Sequence, residues 1–201
     1  MSLLNRAKIR PDVLKMLDES QEIFGQAIAE FLKQEENKSI NFQALFQESF
    51  EKNANIIKRA ANDEEYIDFL YEIYTKEEME FFAKLFRFTS EFAADVRLKE
   101  KPISENIQIQ LVDVGGVPAE WQVVPGASEE RGILYFHGSA FVVMSPKTHR
   151  RLTVEIAKVT HMRVLSIDYR LAPEHPFPAG LEDCITAING FCQKDSNLRI
   201  L

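Results

Sequence analysis

Residues 133–141 read ILYFHGSAF, a short apolar run that ends in a histidine followed by three very small residues. Four apolar residues bounded by a turn suit a strand covered on both faces, as in a parallel sheet. A second run of the same kind, Val164 to Ile167, lies downstream. Between the two, Lys147 to Val159 has helical spacing, with Leu152, Ile156 and Val159 as its inward residues. Upstream, Ile107, Ile109 and Leu111 alternate, Gly115 and Gly116 supply a turn, and Ala119, Trp121 and Val123 alternate back, which predicts an antiparallel hairpin. Gly126 to Arg131 reads as a polar turn. Leu181 to Phe191 reads as another helix, and Leu198 to Leu201 as the beginning of a further strand. A hairpin followed by alternating strands and helices predicts an α/β fold: a helical N-terminal segment, then the first half of an α/β sheet with parallel strands and crossover helices.

The chain changes character near residue 100. Eleven of its 15 phenylalanines fall in residues 1–100, a stretch of helical periodicity. Pro11 suits a helix first turn, and Leu14, Leu17, Phe24, Ile28, Phe31 and Leu32 mark one face of a long helix. A second helix carries Phe42, Leu45, Phe46, Phe50, Ile56, Ile57 and Ala60, and a short third carries Ile67, Leu70, Tyr71 and Tyr74, with Asn62 and Asp63 as caps between them. Thr75 with Glu78 forms a capping box that opens a fourth helix through about Arg97. Two segments follow: 1–100, helical and cap-like or accessory, and 101–201, the sheet-bearing part. The aromatic stretch FFAKLFRF at 81–88 is interrupted by Lys84 and Arg87, so it is read as a packing face and not as a membrane-contact surface.

The net charge of −7 argues against a phosphate-binding surface, hence against nucleic acid, and against an anionic membrane partner. Charged residues in MSLLNRAKIR stand where an apolar signal core would be, and no stretch reaches the roughly 18 apolar residues of a membrane span, so a cytoplasmic location is expected. Cys184 and Cys192 lie eight apart in one helix, about 12 Å at 1.5 Å per residue, too far to bridge. Both are expected to be buried thiols.

Beyond periodicity, YFHGSAF, SPKTHRRL and the longer DYRLAPEHPFPA from Asp168 to Ala179 resemble, in order and spacing, the α/β-hydrolases related to hormone-sensitive lipase, mostly carboxylesterases and lipases. The first motif is similar to the family's His-Gly-Gly-Gly or His-Gly-Gly-Ala loop, part of an esterase oxyanion hole. The resemblance implies ester hydrolysis through a serine acyl-enzyme, with a small ester or lipid-like substrate and no cofactor or metal. It also explains the small residues. The tetrahedral intermediate's oxygen becomes an anion, and preorganised backbone N–H groups stabilise it; losing one typically costs about 10²–10³ in rate. By resemblance the donors are the N–H groups of Ser139 and Ala140, His137 and Gly138 support the loop without proton transfer, and Phe141 lines the substrate pocket.

Bland readings stand beside these. Asp168 and Glu174 suggest an acid pair, but their Pro-punctuated segment is better read as holding a turn beside the loop. His175 is read as structural, and His149 and His161 as surface or helix-capping residues. Two departures from the family pattern matter. Ser139 stands where the family has glycine, and a serine at φ > 0 costs about 1–2 kcal/mol of local strain. The nucleophile of this fold lies in Gly-x-Ser-x-Gly on the turn after the next strand, followed by the acid and the histidine. No such pentapeptide occurs in the 201 residues: Gly126-Ala-Ser128 continues with two glutamates, and every histidine lies too early. The sequence therefore reads as the N-terminal half of such a hydrolase, truncated before the nucleophile elbow and inactive alone, with an exposed sheet edge prone to aggregation. A non-catalytic small-ligand-binding protein on the same scaffold and a helical partner-binding module with a hydrolase remnant are the alternatives.

Overall fold

In the computed structural model, residues 9–59, 73–194 and 199–200 are described. Pro11 at its first turn opens α1 (Pro11–Leu32), and a short 3-10 turn (Glu35–Asn37) leads to α2 (Phe42–Arg59). The Thr75–Glu78 capping box is formed and starts α3 (Lys76–Glu100). Of the short helix expected over Ile67, Leu70, Tyr71 and Tyr74, Tyr74 is described, in a bend just before α3, while the other three and the caps Asn62 and Asp63 lie outside the described residues. Phe31 of α1 wedges between Phe81 and Phe88 of α3, with ring centroids 5.7 and 5.4 Å away. FFAKLFRF is thus largely a packing face, as its charge spacing predicts, although Phe86 remains exposed.

The remainder forms a mixed five-stranded sheet in the order β1-β2-β4-β3-β5. The hairpin comprises β1 (Gln108–Val114) and β2 (Val117–Val123), joined by two glycines at positive φ. Next come β3 (Ser128–Phe136), α4 (Pro146–Thr160), β4 (Met162–Ile167), α5 (Ala179–Lys194) and β5 (Arg199–Ile200). The last agrees with the strand read over Leu198 to Leu201, whose two end residues lie outside the described set. β2 pairs antiparallel with both β1 and β4, whereas β3 runs parallel to β4 and β5. On one face, α5 packs Cys184, Ala187 and Phe191 against Val114, Leu165 and Ile167. On the other, α4 packs Val154 and Ala157 against Val164, Ile107 and Val124.

Four local readings are corrected. β3 begins at Ser128 and absorbs most of the expected polar turn, because residues 128–132 carry an irregularity that lets a polar segment pair with β4. α4 turns Thr153, Val154 and Ala157 inward, while Leu152 and Val159 are exposed; small side chains let the helix approach the sheet closely. Leu111 alternates as read but is exposed, since β1 is the sheet edge and α4 does not reach it. Cys184 is buried, but Cys192, in the last turn of α5, is exposed.

Candidate active site

The carboxyl ends of β3 and β4 deliver two loops to the same rim of the sheet. Strand β3 runs into residues 137–145, which end at a second capping box, Ser145 with Thr148, opening α4. Strand β4 runs into residues 168–178, which lead to α5. The loops are tied directly, because the Ala172 N–H donates to the Phe141 carbonyl at 2.8 Å.

Within the first loop, Ser139, Ala140 and Phe141 all adopt positive φ, at 85°, 55° and 59°. Consecutive left-handed residues curl the backbone so that successive N–H groups point to one side of the turn, a geometry that suits anions. The Ser139 carbonyl accepts from Val142 and Val143, whereas among the described residues the Ser139 and Ala140 N–H groups have no acceptor. Gly138, Ser139 and Ala140 are exposed. The structure thus places the two expected donors side by side on an accessible turn.

His137 lies beneath this turn and is only 3% exposed. Its ring stacks on Tyr169, with centroids 4.2 Å apart and planes 14° apart. The Tyr169 hydroxyl donates to the His137 carbonyl, and His137 Nδ1 lies 3.1 Å from the Gly138 oxygen. Burial pushes the imidazole pKa below its ordinary value, the Gly138 contact opposes this and neighbouring His149 adds to it. The ring is therefore neutral and fixed. Burial likewise raises the Tyr169 phenol to about 12, so it stays protonated. Phe141 packs against Tyr169 at 5.0 Å and lies over Gly180, where a Cβ would come within 2.8 Å of its ring.

The second loop is held from two sides. Arg170 grips Asp183 of α5 through its side chain and also donates its backbone N–H at 2.8 Å, which draws the carboxyl below its usual range. Glu174 pairs with Arg87, at 2.8 Å, and no hydrogen bond joins it to Asp168. Burial would raise the Glu174 carboxyl, but its own backbone N–H and Arg87 bring it below the ordinary value.

Arg87 is the residue that sequence reasoning missed. From α3 its Nε donates to the Val142 carbonyl at 2.7 Å, Nη1 reaches Glu174, and Nη2 donates to the Ala172 carbonyl. One guanidinium therefore clamps both loops, with a fork geometry lysine lacks. Its only signal in the sequence is a cation inside an aromatic stretch. Glu91, one turn on, accepts from Ser145 and pairs with Lys147 at 3.1 Å, which anchors the start of α4. Of the other histidines, His161 caps α4 in a left-handed conformation, as read, and His149 stacks on His137 with centroids 5.8 Å apart.

Residues 133–200 match the family model described as alpha/beta hydrolase fold. An acetyl-hydrolase of Streptomyces hygroscopicus is 40% identical over 77 residues, which are 38% of this chain and 25% of that protein. An esterase of Acinetobacter venetianus is 38% identical over 81 residues, 40% of this chain and 26% of that protein. Among solved structures, an esterase from the bacterial hormone-sensitive lipase family superposes with a TM-score of 0.52 and 32% identity, covering 77% of this chain and 46% of that one. The chain spans about a quarter of the length of these curated relatives and under half of that structure.

Proposed function

From a chain that over residues 133–200 is an α/β-hydrolase of the hormone-sensitive-lipase-like type, a family of esterases and lipases, we propose that residues 137–141 form the anion-stabilising half of a site for carboxylic ester hydrolysis. The observation that carries this reading is the left-handed turn with its exposed residues Ser139 and Ala140, whose N–H groups have no acceptor among the described residues. As a serine oxygen attacks an ester carbonyl, the carbonyl π electrons move onto its oxygen, and these two donors stabilise that anion until the alcohol leaves. His137 and Tyr169 hold the turn, and Phe141 faces the substrate. The nucleophile, acid and base are absent from these 201 residues, so the chain by itself forms no acyl-enzyme.

Mixed with p-nitrophenyl butyrate, the purified chain is expected to show no burst; turnover that survives purification overturns this account. Fused at Ile200 to the remaining portion of the Acinetobacter esterase, it is expected to gain activity. Lactate in place of alanine at position 140, which replaces the N–H with an ester oxygen and also weakens the Ser139 carbonyl as an acceptor, should then lower kcat by at least about 10²–10³. An unchanged kcat removes Ala140 from the site. A second reading, in which the scaffold holds a ligand without cleaving it, draws support from an apolar cavity walled by Phe46, Phe50 and Phe86.

A further inference from the structure

Gly180 is the second residue of α5 and is buried. Its backbone is helical, so its conformation does not call for glycine, and glycine favours a helix less than alanine does. What calls for it is space. A Cβ at this position would stand 2.8 Å from the Phe141 ring and 2.8 Å from the Arg170 carbonyl oxygen, well inside the roughly 3.5–4.0 Å at which carbon atoms rest against each other. Gly190, further along the same helix, is also crowded, but by Val114 of β1.

Of the two neighbours, Phe141 is the one that can yield. Arg170 is fixed to α5 itself: its N–H donates to Asp183 at 2.8 Å and its guanidinium grips the same carboxylate. Phe141 is 45% exposed, with its ring against Tyr169 at 5.0 Å and its carbonyl accepting from the Ala172 N–H. At the other end of the turn, the Tyr169 hydroxyl donates to the His137 carbonyl. Between these two anchored residues stand only Gly138, Ser139 and Ala140, all exposed, and the N–H groups of the last two have no acceptor among the described residues. Their direction therefore follows from where His137 and Phe141 are held. Phe141 continues the left-handed run of Ser139 and Ala140, so a shift of its backbone turns theirs. A working site tolerates misplacement of about 0.5 Å, less than a Cβ at position 180 would demand of the ring. On the reading that residues 137–141 stabilise an ester-derived anion, we propose that Gly180 is a positioning residue for that turn: its missing Cβ lets the Phe141 ring seat on α5, and the seat aims the Ser139 and Ala140 N–H groups.

Heteronuclear NMR of the isotope-labelled full chain reads this directly. Gly180→Ala is expected to move the amide resonances of Ser139 and Ala140. In a Phe141→Ala background, where no ring occupies the seat, the same substitution should leave them in place. Gly190→Ala, which brings a Cβ to 2.6 Å from the Val114 side chain in the same helix, should also leave them in place. In the fusion to the Acinetobacter portion, Gly180→Ala should lower kcat on p-nitrophenyl butyrate about tenfold with KM within about twofold, as expected for groups that act in the transition state. With circular dichroism showing each protein folded, three results overturn the proposal: turn resonances unmoved by Gly180→Ala, equal movement without the Phe141 ring or with Gly190→Ala, or resonances that move while kcat of an active fusion stays unchanged. If Gly180→Ala alone unfolds the chain, recovery of the fold by Phe141→Ala supports the seat, and failure to recover it overturns the seat. A fusion without any activity counts against the ester reading, and the resonances still decide the seat, so the two fail separately.

Discussion

Ser139 holds a φ of 85° that an L-residue adopts at a cost of roughly 1–2 kcal/mol, and its neighbours Ala140 and Phe141 are left-handed too. Ser139→Gly relieves that strain but lengthens the list of unfolded conformations, so the net gain should be at most about 1 kcal/mol, read as a small rise in Tm. A fall in Tm would mean that the hydroxyl itself holds the turn. His137 gives a sharper signature. Burial depresses its folded-state pKa below the value of about 6.5 in an unfolded chain, so the folded protein binds fewer protons. That contribution is fully present above about pH 6.5 and is lost as pH falls through this value toward the folded-state pKa. Tm measured between about pH 7 and pH 5 should therefore decline for the native chain. In His137→Asn the Tm should be lower throughout but flatter over the same window. At this scale the sequence identified the turn by its letters, His137 to Ala140, and even the strained serine. It did not show that Ala140 and Phe141 share the strain, because φ is set by where the chain must go next.

Helix α4 is fixed to β2 by a buried ion pair. Glu120 is 2% exposed and accepts from Arg150 Nε at 2.7 Å and from Gln122 at 2.8 Å, while Arg150 Nη2 meets its other oxygen. Removing one partner strands the other, so Arg150→Met should destabilise the protein by about 3–5 kcal/mol in a urea melt. Adding Glu120→Leu should recover much of that loss; failure to recover would show that Arg150 acts through packing alone. Helix α3 acts on the two loops through Arg87, and Arg87→Ala should speed amide exchange at residues 138–145 and 172–176 while leaving β2 and β4 unchanged. Arg87→Lys should not restore protection, since an ammonium cannot span three acceptors. Periodicity and capping signals located α1, α2, α3, α4 and α5 well. The inward face of α4 differs from the Leu152, Ile156 and Val159 face that apolar spacing predicts: Ile156 is half-buried against the core, but Leu152 and Val159 are exposed. Close approach to a sheet instead favours Thr153, Val154 and Ala157, a choice that depends on the distance between layers.

Across the whole molecule, apolar surface remains uncovered on the α5 side. Leu181, Ile185 and Ile188 form a stripe at helical spacing, and nearby Phe177 is 84% exposed. Among the described residues β5 is paired on one side only. Replacing Ile185 and Ile188 with Lys and Glu should reduce self-association in light scattering at unchanged Tm; association unaffected by the change would move the sticky surface elsewhere. The sequence by itself determined the layer order, the hairpin and the identity of the small-residue turn, because each rests on local period, turn chemistry and short motifs. Only the tertiary structure decided that one arginine from the helical segment holds both loops, that two N–H groups without an acceptor among the described residues share an exposed turn, and that α2 leaves an apolar cavity. The clamp depends on residues 55 to 87 positions apart meeting in space, as Arg87 meets Val142 and Glu174, and the seat of α2 on residues 21 to 26 apart. No local pattern encodes such a meeting; it follows from how the helices settle on the sheet.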